Sequence, residues 1–171
     1  MGVLKTLIFT VVVPGTVTVW IPYSLLPSRS EPFSVDFGVF RFLGLVPILL
    51  GALIYFWCAW DFTFTGRGTP APIDPPKELV VRGLYRHVRN PMYVGVSLVI
   101  FGEFVLFEAT ILLVYAVLLL LGFHLFIVFY EEPTLRQKFG KLYDQYCQAV
   151  PRWIPNVKLL VRLRQTYWRM R

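Results

Sequence analysis

The chain of 171 residues is 56% hydrophobic and only 16% charged, with a mean hydropathy of +0.60, where a soluble domain carries roughly a quarter charged residues. An ordinary soluble globule is excluded, and the length suits one domain over residues 1–171 better than two. Seventeen Lys and Arg against ten Asp and Glu leave +7, a surplus that belongs outside hydrocarbon, where anionic lipid or an anionic substrate meets it; nucleic acid is a poor partner for so apolar a chain.

Four apolar runs reach the roughly 20 helical residues that a bilayer crossing requires. They lie at Val3 to Leu26, Val39 to Trp60, Pro91 to Phe107 and Ala109 to Tyr130. Pro14, Gly15 and Pro22 predict a kinked first span. It is too long for the apolar core of a secretory signal and lacks its small-residue cleavage site. Only Glu108 separates the third and fourth runs, so the two should form a tight helical hairpin turning there.

The basic residues are unevenly shared: five fall between Asp61 and Asn90 and nine follow Tyr130, fourteen of the 17 on one side of a four-span arrangement. The positive-inside rule then sets both termini and the two polar segments in the cytoplasm. Beyond Tyr130, Leu135, Phe139, Leu142, Tyr143, Tyr146 and Val150 recur at helical spacing, which predicts an amphipathic helix outside the bilayer core. After Pro151 and Pro155, the bases Lys158, Arg162 and Arg169 share a helix face, as expected of a membrane-surface helix. The expected fold is therefore all-α and integral to the membrane, with about four transmembrane helices, a cytoplasmic loop and C-terminal amphipathic helices.

Two cysteines, Cys58 and Cys147, and two histidines, His87 and His124, supply neither a disulfide framework nor a metal-ligand pattern. His124 sits inside the fourth span, where a hydrogen bond to a neighbouring helix is expected, with Glu103 of the third span a possible partner. Chemistry must come from the polar segments. The stretch Gly66 to Gly95 mixes prolines and glycines with Leu79, Val80, Val81, Leu84 and Tyr85, which reads as an ordered loop. Glu131-Glu132-Pro133 lies where the fourth span should leave the bilayer and a new helix begin. One acid there complements the helix dipole; a second at membrane depth calls equally for a ligand or an arginine. The four-span arrangement brings Arg86, His87, Arg89, Asn90 and Tyr93 to the same rim as these acids.

Arg89-Asn90-Pro91-Met92-Tyr93 resembles the Arg-His-Pro-x-Tyr signature of the isoprenylcysteine carboxyl methyltransferase and phospholipid methyltransferase superfamily. The approach Leu79 to Arg86 is similar to that family's, and Glu131-Glu132, Phe139-Gly140, Tyr143, Tyr146, Val150-Pro151-Arg152 and Ile154-Pro155 resemble its C-terminal signature. The likeness covers residues 66–155. It departs at Asn90, where the motif carries histidine; Asn donates and accepts hydrogen bonds but does not titrate.

The resemblance implies S-adenosylmethionine as cofactor and implicates Arg89, Asn90, Pro91, Tyr93, Glu131 and Glu132. The ligand's own needs agree: a carboxylate suits the fork of Arg86 or Arg89, while ribose hydroxyls or an ammonium suit Glu131 or Glu132. Gly83, Leu84 and Tyr85, with Tyr143 or Tyr146, offer a wall for adenine. His87, the loop's one group titrating near neutral pH, is either a further contact or a rim residue. Arg89 and Glu132 are the expected catalytic pair. The expected reaction is methyl transfer to a lipophilic acceptor entering from the bilayer, foremost an isoprenylcysteine-like carboxylate, with a phospholipid amine or small thiol as alternatives. An NADPH-dependent membrane reductase resembles the closing motif too, and a non-catalytic assembly or transport protein is the third class.

Overall fold

The computed structural model describes residues 2–26, 35–64 and 78–154, and no strand occurs among them. Helix α1 (Gly2–Gly15) passes through a π turn at Thr16–Trp20 into α2 (Ile21–Leu25), so the expected kink takes the form of a widened turn. In that turn the Ile21 amide reaches back to the Thr16 carbonyl. The carbonyl of Val17 would next meet position 22, but Pro22 has no N–H to give. Tyr115, from another helix, donates its hydroxyl to the Val17 oxygen at 2.9 Å and fills the gap.

A 3-10 segment (Gly38–Gly44) leads into α3 (Leu45–Phe64). After a 3-10 turn at Gly83–Arg86 come α4 (Pro91–Phe107), α5 (Thr110–Phe126), a π turn at Ile127–Glu131, α6 (Glu132–Phe139) and α7 (Lys141–Ala149). Three helical stretches, Leu4–Leu25, Gly38–Phe64 and Thr110–Phe139, are long and apolar enough to cross a membrane. Helix α4, with 17 residues, spans about 26 Å and lies at the short end of what a crossing needs. Val11, Leu53, Leu118 and Leu121 stand exposed along these helices, apolar surface that hydrocarbon solvates and water does not. The chain is an integral membrane protein.

Helix α3 and the end of the 3-10 segment before it meet α4 along a seam of glycines spaced seven apart on each side. Gly44 faces Gly102, and Gly51 faces Gly95. A Cβ on Gly95 would come within 2.8 Å of the Gly51 carbonyl oxygen, and one on Gly51 would press into the carbonyl of Gly95. Lipid gives little hydrophobic drive for helix association, so close backbone approach through small residues supplies the packing. The pairing also fixes α3 and α4 antiparallel. Hydrogen bonds between Thr6 and Thr63 and between Thr10 and Tyr55, both at 2.9 Å, lay α1 antiparallel to α3. The hairpin turns where expected, with Glu108 at φ 56°, its carboxylate accepting from the Phe37 amide at 2.9 Å.

Two expectations change. No new helix starts at Glu131: the backbone runs unbroken from Thr110 to Phe139, and the π turn absorbs the mismatch ahead of Pro133. The single amphipathic helix beyond it is two short ones, parted at Gly140 with φ 53°. Leu135, Phe139, Tyr143, Tyr146 and Val150 do share one buried cluster, and they close it against Leu79 and Val81 of the loop. Leu142 is exposed. Residues 65–77 and the basic face of Lys158, Arg162 and Arg169 lie outside the described residues.

Candidate functional site

Three segments converge at the end of the bundle where α3 stops, α4 starts and α5 hands over to α6. The loop reaches it through the Gly83–Arg86 turn. Gly83 holds φ +54°, a conformation L side chains resist, and a Cβ there would strike Asp61 Oδ2 and lie 3.0 Å from Trp57 Nε1. Beside the turn, Cys58, Val80 and Tyr85 form a buried cluster with Leu84 packed against it. The Tyr85 ring meets Phe62 edge-on at 5.4 Å, and its carbonyl accepts the buried Tyr146 hydroxyl at 2.8 Å. Burial pushes the Tyr85 phenol well above its ordinary value.

Asn90 caps α4 at φ −124° and ψ 51°, outside the helical region that a following proline disfavours, and the buried Pro91 opens α4 at its first position, where its missing N–H costs nothing. This sets Arg89 facing α6. Arg89 Nη1 lies 3.2 Å from Glu132 Oε1 and 2.8 Å from Cys147 Sγ. Arg152 grips the same carboxylate from the other side, Nε to Oε1 at 2.8 Å and Nη2 to Oε2 at 3.1 Å, and this bond raises the Arg152 guanidinium's pKa. The Glu132 side chain is 7% exposed and those of Arg89 and Arg152 12% and 30%, so the carboxylate is shared by two guanidinia in a nearly dry place.

Glu131 precedes Glu132 by one helical position and so points roughly 100° away. It accepts the Tyr93 hydroxyl at 2.8 Å. The twin acids thus serve three partners: Arg89 and Tyr93 at the start of α4, and Arg152 from the segment after α7.

The segment after α7 straps over the node. The Arg89 amide donates to the Pro151 carbonyl at 2.9 Å, Asn90 Nδ2 to the Arg152 carbonyl at 3.2 Å, and Trp153 Nε1 to His124 Nδ1 at 3.3 Å. That last bond corrects the expected pairing of His124 with Glu103. The partner comes from the strap because α5 carries His124 close enough to the site end for Trp153 to reach it. Tyr143 is buried beneath the strap, and burial raises its phenol above the ordinary range.

The structure gathers Arg89, Asn90, Pro91, Tyr93, Glu131 and Glu132 around one point, with Gly83, Leu84 and Tyr85 as the adjoining wall. It does not bring Arg86 and His87 to the acids: both are exposed, and among the described residues Arg86 Nε reaches only the Val81 carbonyl, at 3.5 Å. Sequence reasoning left out Arg152, Cys147, Trp153 and Asp61 as site residues. The motif Val150-Pro151-Arg152 held the one available signal, since two neighbouring acids call for more than one arginine. Among the described residues no group of His, Cys, Asp and Glu is arranged to hold a metal.

A largely buried Arg–Glu–Arg node thus sits at the rim of a membrane helical bundle, closed by a C-terminal strap. Residues 39–142, more than half of the chain, match the profile of the phospholipid methyltransferase family, and the chain belongs to that family. Two rice proteins, from Oryza sativa subsp. indica and subsp. japonica, each bear the name probable protein-S-isoprenylcysteine O-methyltransferase. Each is 29% identical to this chain over 138 residues, covering 78% of it and 68% of the relative. No solved structure matches the chain at a significant level.

Proposed function

We propose that the protein transfers a methyl group from S-adenosylmethionine to a lipophilic acceptor that enters from the bilayer, foremost an isoprenylcysteine-like carboxylate. The observation that carries this reading is the Arg89–Glu132–Arg152 node. Arg89 Nε is buried and has no hydrogen-bond partner among the described residues, so a donor stands ready for an anion. The carboxylate of the methyl donor's amino-acid head is such an anion. Arg89 and Tyr93 with Glu131 and Glu132 would hold the polar head, and Gly83, Leu84 and Tyr85 would flank the adenosine. When bound, the donor supplies an electrophilic methyl group on a sulfonium.

The chain's own task is then alignment and dryness. Arg152 neutralises Glu132 and ties the strap over the site, which excludes water, and fixed geometry of this kind contributes about 7 to 11 kcal/mol to a bimolecular transfer. A carboxylate nucleophile needs no base. The residues at hand agree with this, since Asn90 does not titrate, Tyr85 and Tyr143 are held neutral by burial, and Glu132 is engaged by two arginines. A lipophilic acceptor is supported by a cavity of about 750 Å³ between α1 and the α3–α4 pair, lined by Thr10, Pro14, Trp20, Ile48, Tyr55 and Val96. Its wall at Tyr55 and Val96 packs on Met92 and Phe123, and the Phe123 ring meets that of Tyr93 at a tilt of 51°, with centroids 4.7 Å apart. The charge asymmetry of the loops supports placing the site and both termini on the cytoplasmic side. A second reading, methylation of an aminophospholipid, is favoured by the description of the matching family.

Purified protein in lipid nanodiscs tests the proposal. Thermal stabilisation by S-adenosylmethionine or S-adenosylhomocysteine, and labelled methyl recovered as methanol after base hydrolysis of the lipid extract, are expected. Base-stable label in a lipid amine selects the second reading, and stabilisation by NADPH alone overturns both.

A further inference from the structure

Gly15 stands inside the long apolar stretch Leu4–Leu25, at an ordinary helical φ of −61° and ψ of −39°. Glycine weakens a helix there, and nothing around it requires one. The seam glycines are forced by neighbouring backbone, whereas a Cβ on Gly15 would meet only the Thr10 carbonyl oxygen, at 3.7 Å. A residue that breaks a local rule without a packing reason marks a place where function sets the sequence. The π turn at Thr16–Trp20 is a second break beside it, and such turns gather at functional sites.

Both breaks line the cavity between the first helix and the α3–α4 pair. Most of its hydroxyls are already bonded. Thr16 and Thr18 donate to the carbonyls of Val12 and Pro14 in their own helix, and Thr10 and Tyr55 bond to each other. What the cavity takes is therefore apolar. From Thr10 to Tyr23 it follows the first helix for about 20 Å, the reach of one farnesyl or geranylgeranyl chain, and about 750 Å³ is the volume of a site for one ligand of that size. The Thr10–Tyr55 end lies nearest the polar node, since Tyr55 packs on Met92 and Phe123, and Phe123 meets Tyr93.

A tail gains no hydrophobic free energy by leaving lipid for an apolar cavity, so shape must hold it. Recesses at Gly15 and Ala52, set among the rings of Trp20, Tyr55 and Phe56, suit a chain that carries methyl branches better than a straight acyl chain. The first-helix residues precede the segment that matches the family profile, so that match assigns them no role.

We propose that Gly15 determines acceptor specificity: the side chain it lacks leaves the recess that admits the methyl-branched prenyl tail of the acceptor. The inference rests on the functional reading above and adds the place of the tail and the residue that selects it.

The test compares wild type, Gly15→Ala, Gly15→Leu and, as a control, Gly122→Leu in nanodiscs. The probes are N-acetyl-S-farnesylcysteine, its straight-chain S-dodecyl counterpart and S-adenosylhomocysteine. Wild type should bind the farnesyl probe more tightly than the dodecyl one; equal affinity overturns the proposal. Gly15→Leu should melt at or above wild type and keep its affinity for S-adenosylhomocysteine. Its Kd and KM for the farnesyl probe should rise at least about tenfold at similar kcat, because binding shared by ground and transition states is lost. Gly15→Ala should show a smaller rise and Gly122→Leu none. Unchanged farnesyl affinity in Gly15→Leu overturns the proposal. Should Gly15→Leu fail to fold, or lose S-adenosylhomocysteine as well, the wild type decides. A farnesyl probe with a photoreactive diazirine near the tail's end should label Trp20, Ile48 or Ala52, and labelling confined to other residues overturns the proposal. Wild type that neither binds S-adenosylhomocysteine nor transfers a methyl group sinks the methyl-transfer reading instead, and the labelling pattern still reads the cavity.

Discussion

Arg89 stands just ahead of α4 and Glu132 at the first position of α6, and their side chains meet at 3.2 Å in a nearly dry node. Removing one member of a buried ion pair leaves the other charge without compensation and costs about 3 to 5 kcal/mol, whereas the intact pair adds little net stability over an apolar replacement. The node is therefore better understood as a device for a ligand than as a staple for the fold.

That distinction is measurable. Arg152→Ala should lower the melting temperature and loosen the strap while leaving Glu132 partnered by Arg89. Hydrogen exchange across residues 150–154 should rise in this variant and in Trp153→Phe, which loses the bond to His124. Unchanged exchange in both would show that the strap is held by packing alone.

The glycine seam gives a second outcome. Gly51→Val and Gly95→Val should each destabilise the bundle by about 1 to 3 kcal/mol or more, since the added carbons meet backbone and cannot be repacked. Gly122, whose Cβ would meet nothing within 4 Å, should accept Ala without loss. Thermal melts in detergent compare the three.

Tyr115→Phe removes the hydroxyl that serves the Val17 carbonyl. A cost of about 0.6 to 1.7 kcal/mol is expected, as for hydrogen bonds between membrane helices elsewhere. An unaltered unfolding free energy in mixed micelles would show that the π turn satisfies that carbonyl by itself.

Tyr85 and Tyr143 set an alkaline limit. Burial raises both phenols above their ordinary value, so the folded state favours the protonated form. Their contribution is fully present below about pH 10 and is lost as pH rises through the folded values. Melting temperature should be flat between pH 7 and 9 and fall above about 10, with tyrosinate absorbance appearing together with unfolding. Full ionisation of both rings in the folded protein would contradict their burial.

Much of this architecture was legible in the sequence because hydrophobic block length and the placement of proline are local signals. Pro91 marked the start of α4 and Glu108 the hairpin turn, and the structure has both. The continuity of α5 into α6 was not legible: Pro133 reads as a helix start, and only a π turn, which leaves no distinct sequence pattern, lets the backbone run through it. Arg89, Tyr93 and the two acids were readable as one rim because a four-span topology puts them there. Arg152 was hidden, since its approach to Glu132 depends on how the chain folds back after α7. Asp61 lies just past the expected end of the second span, and no local signal marks that Gly83 folds back against it.

The most direct measurement is the affinity of S-adenosylhomocysteine for wild type and for Glu132→Gln, by calorimetry in nanodiscs at matched protein folding. Binding to the wild type and a loss of at least about tenfold in the variant are expected if the node holds the methyl donor's polar head. Equal affinity in the two proteins would place the donor elsewhere and contradict the assignment.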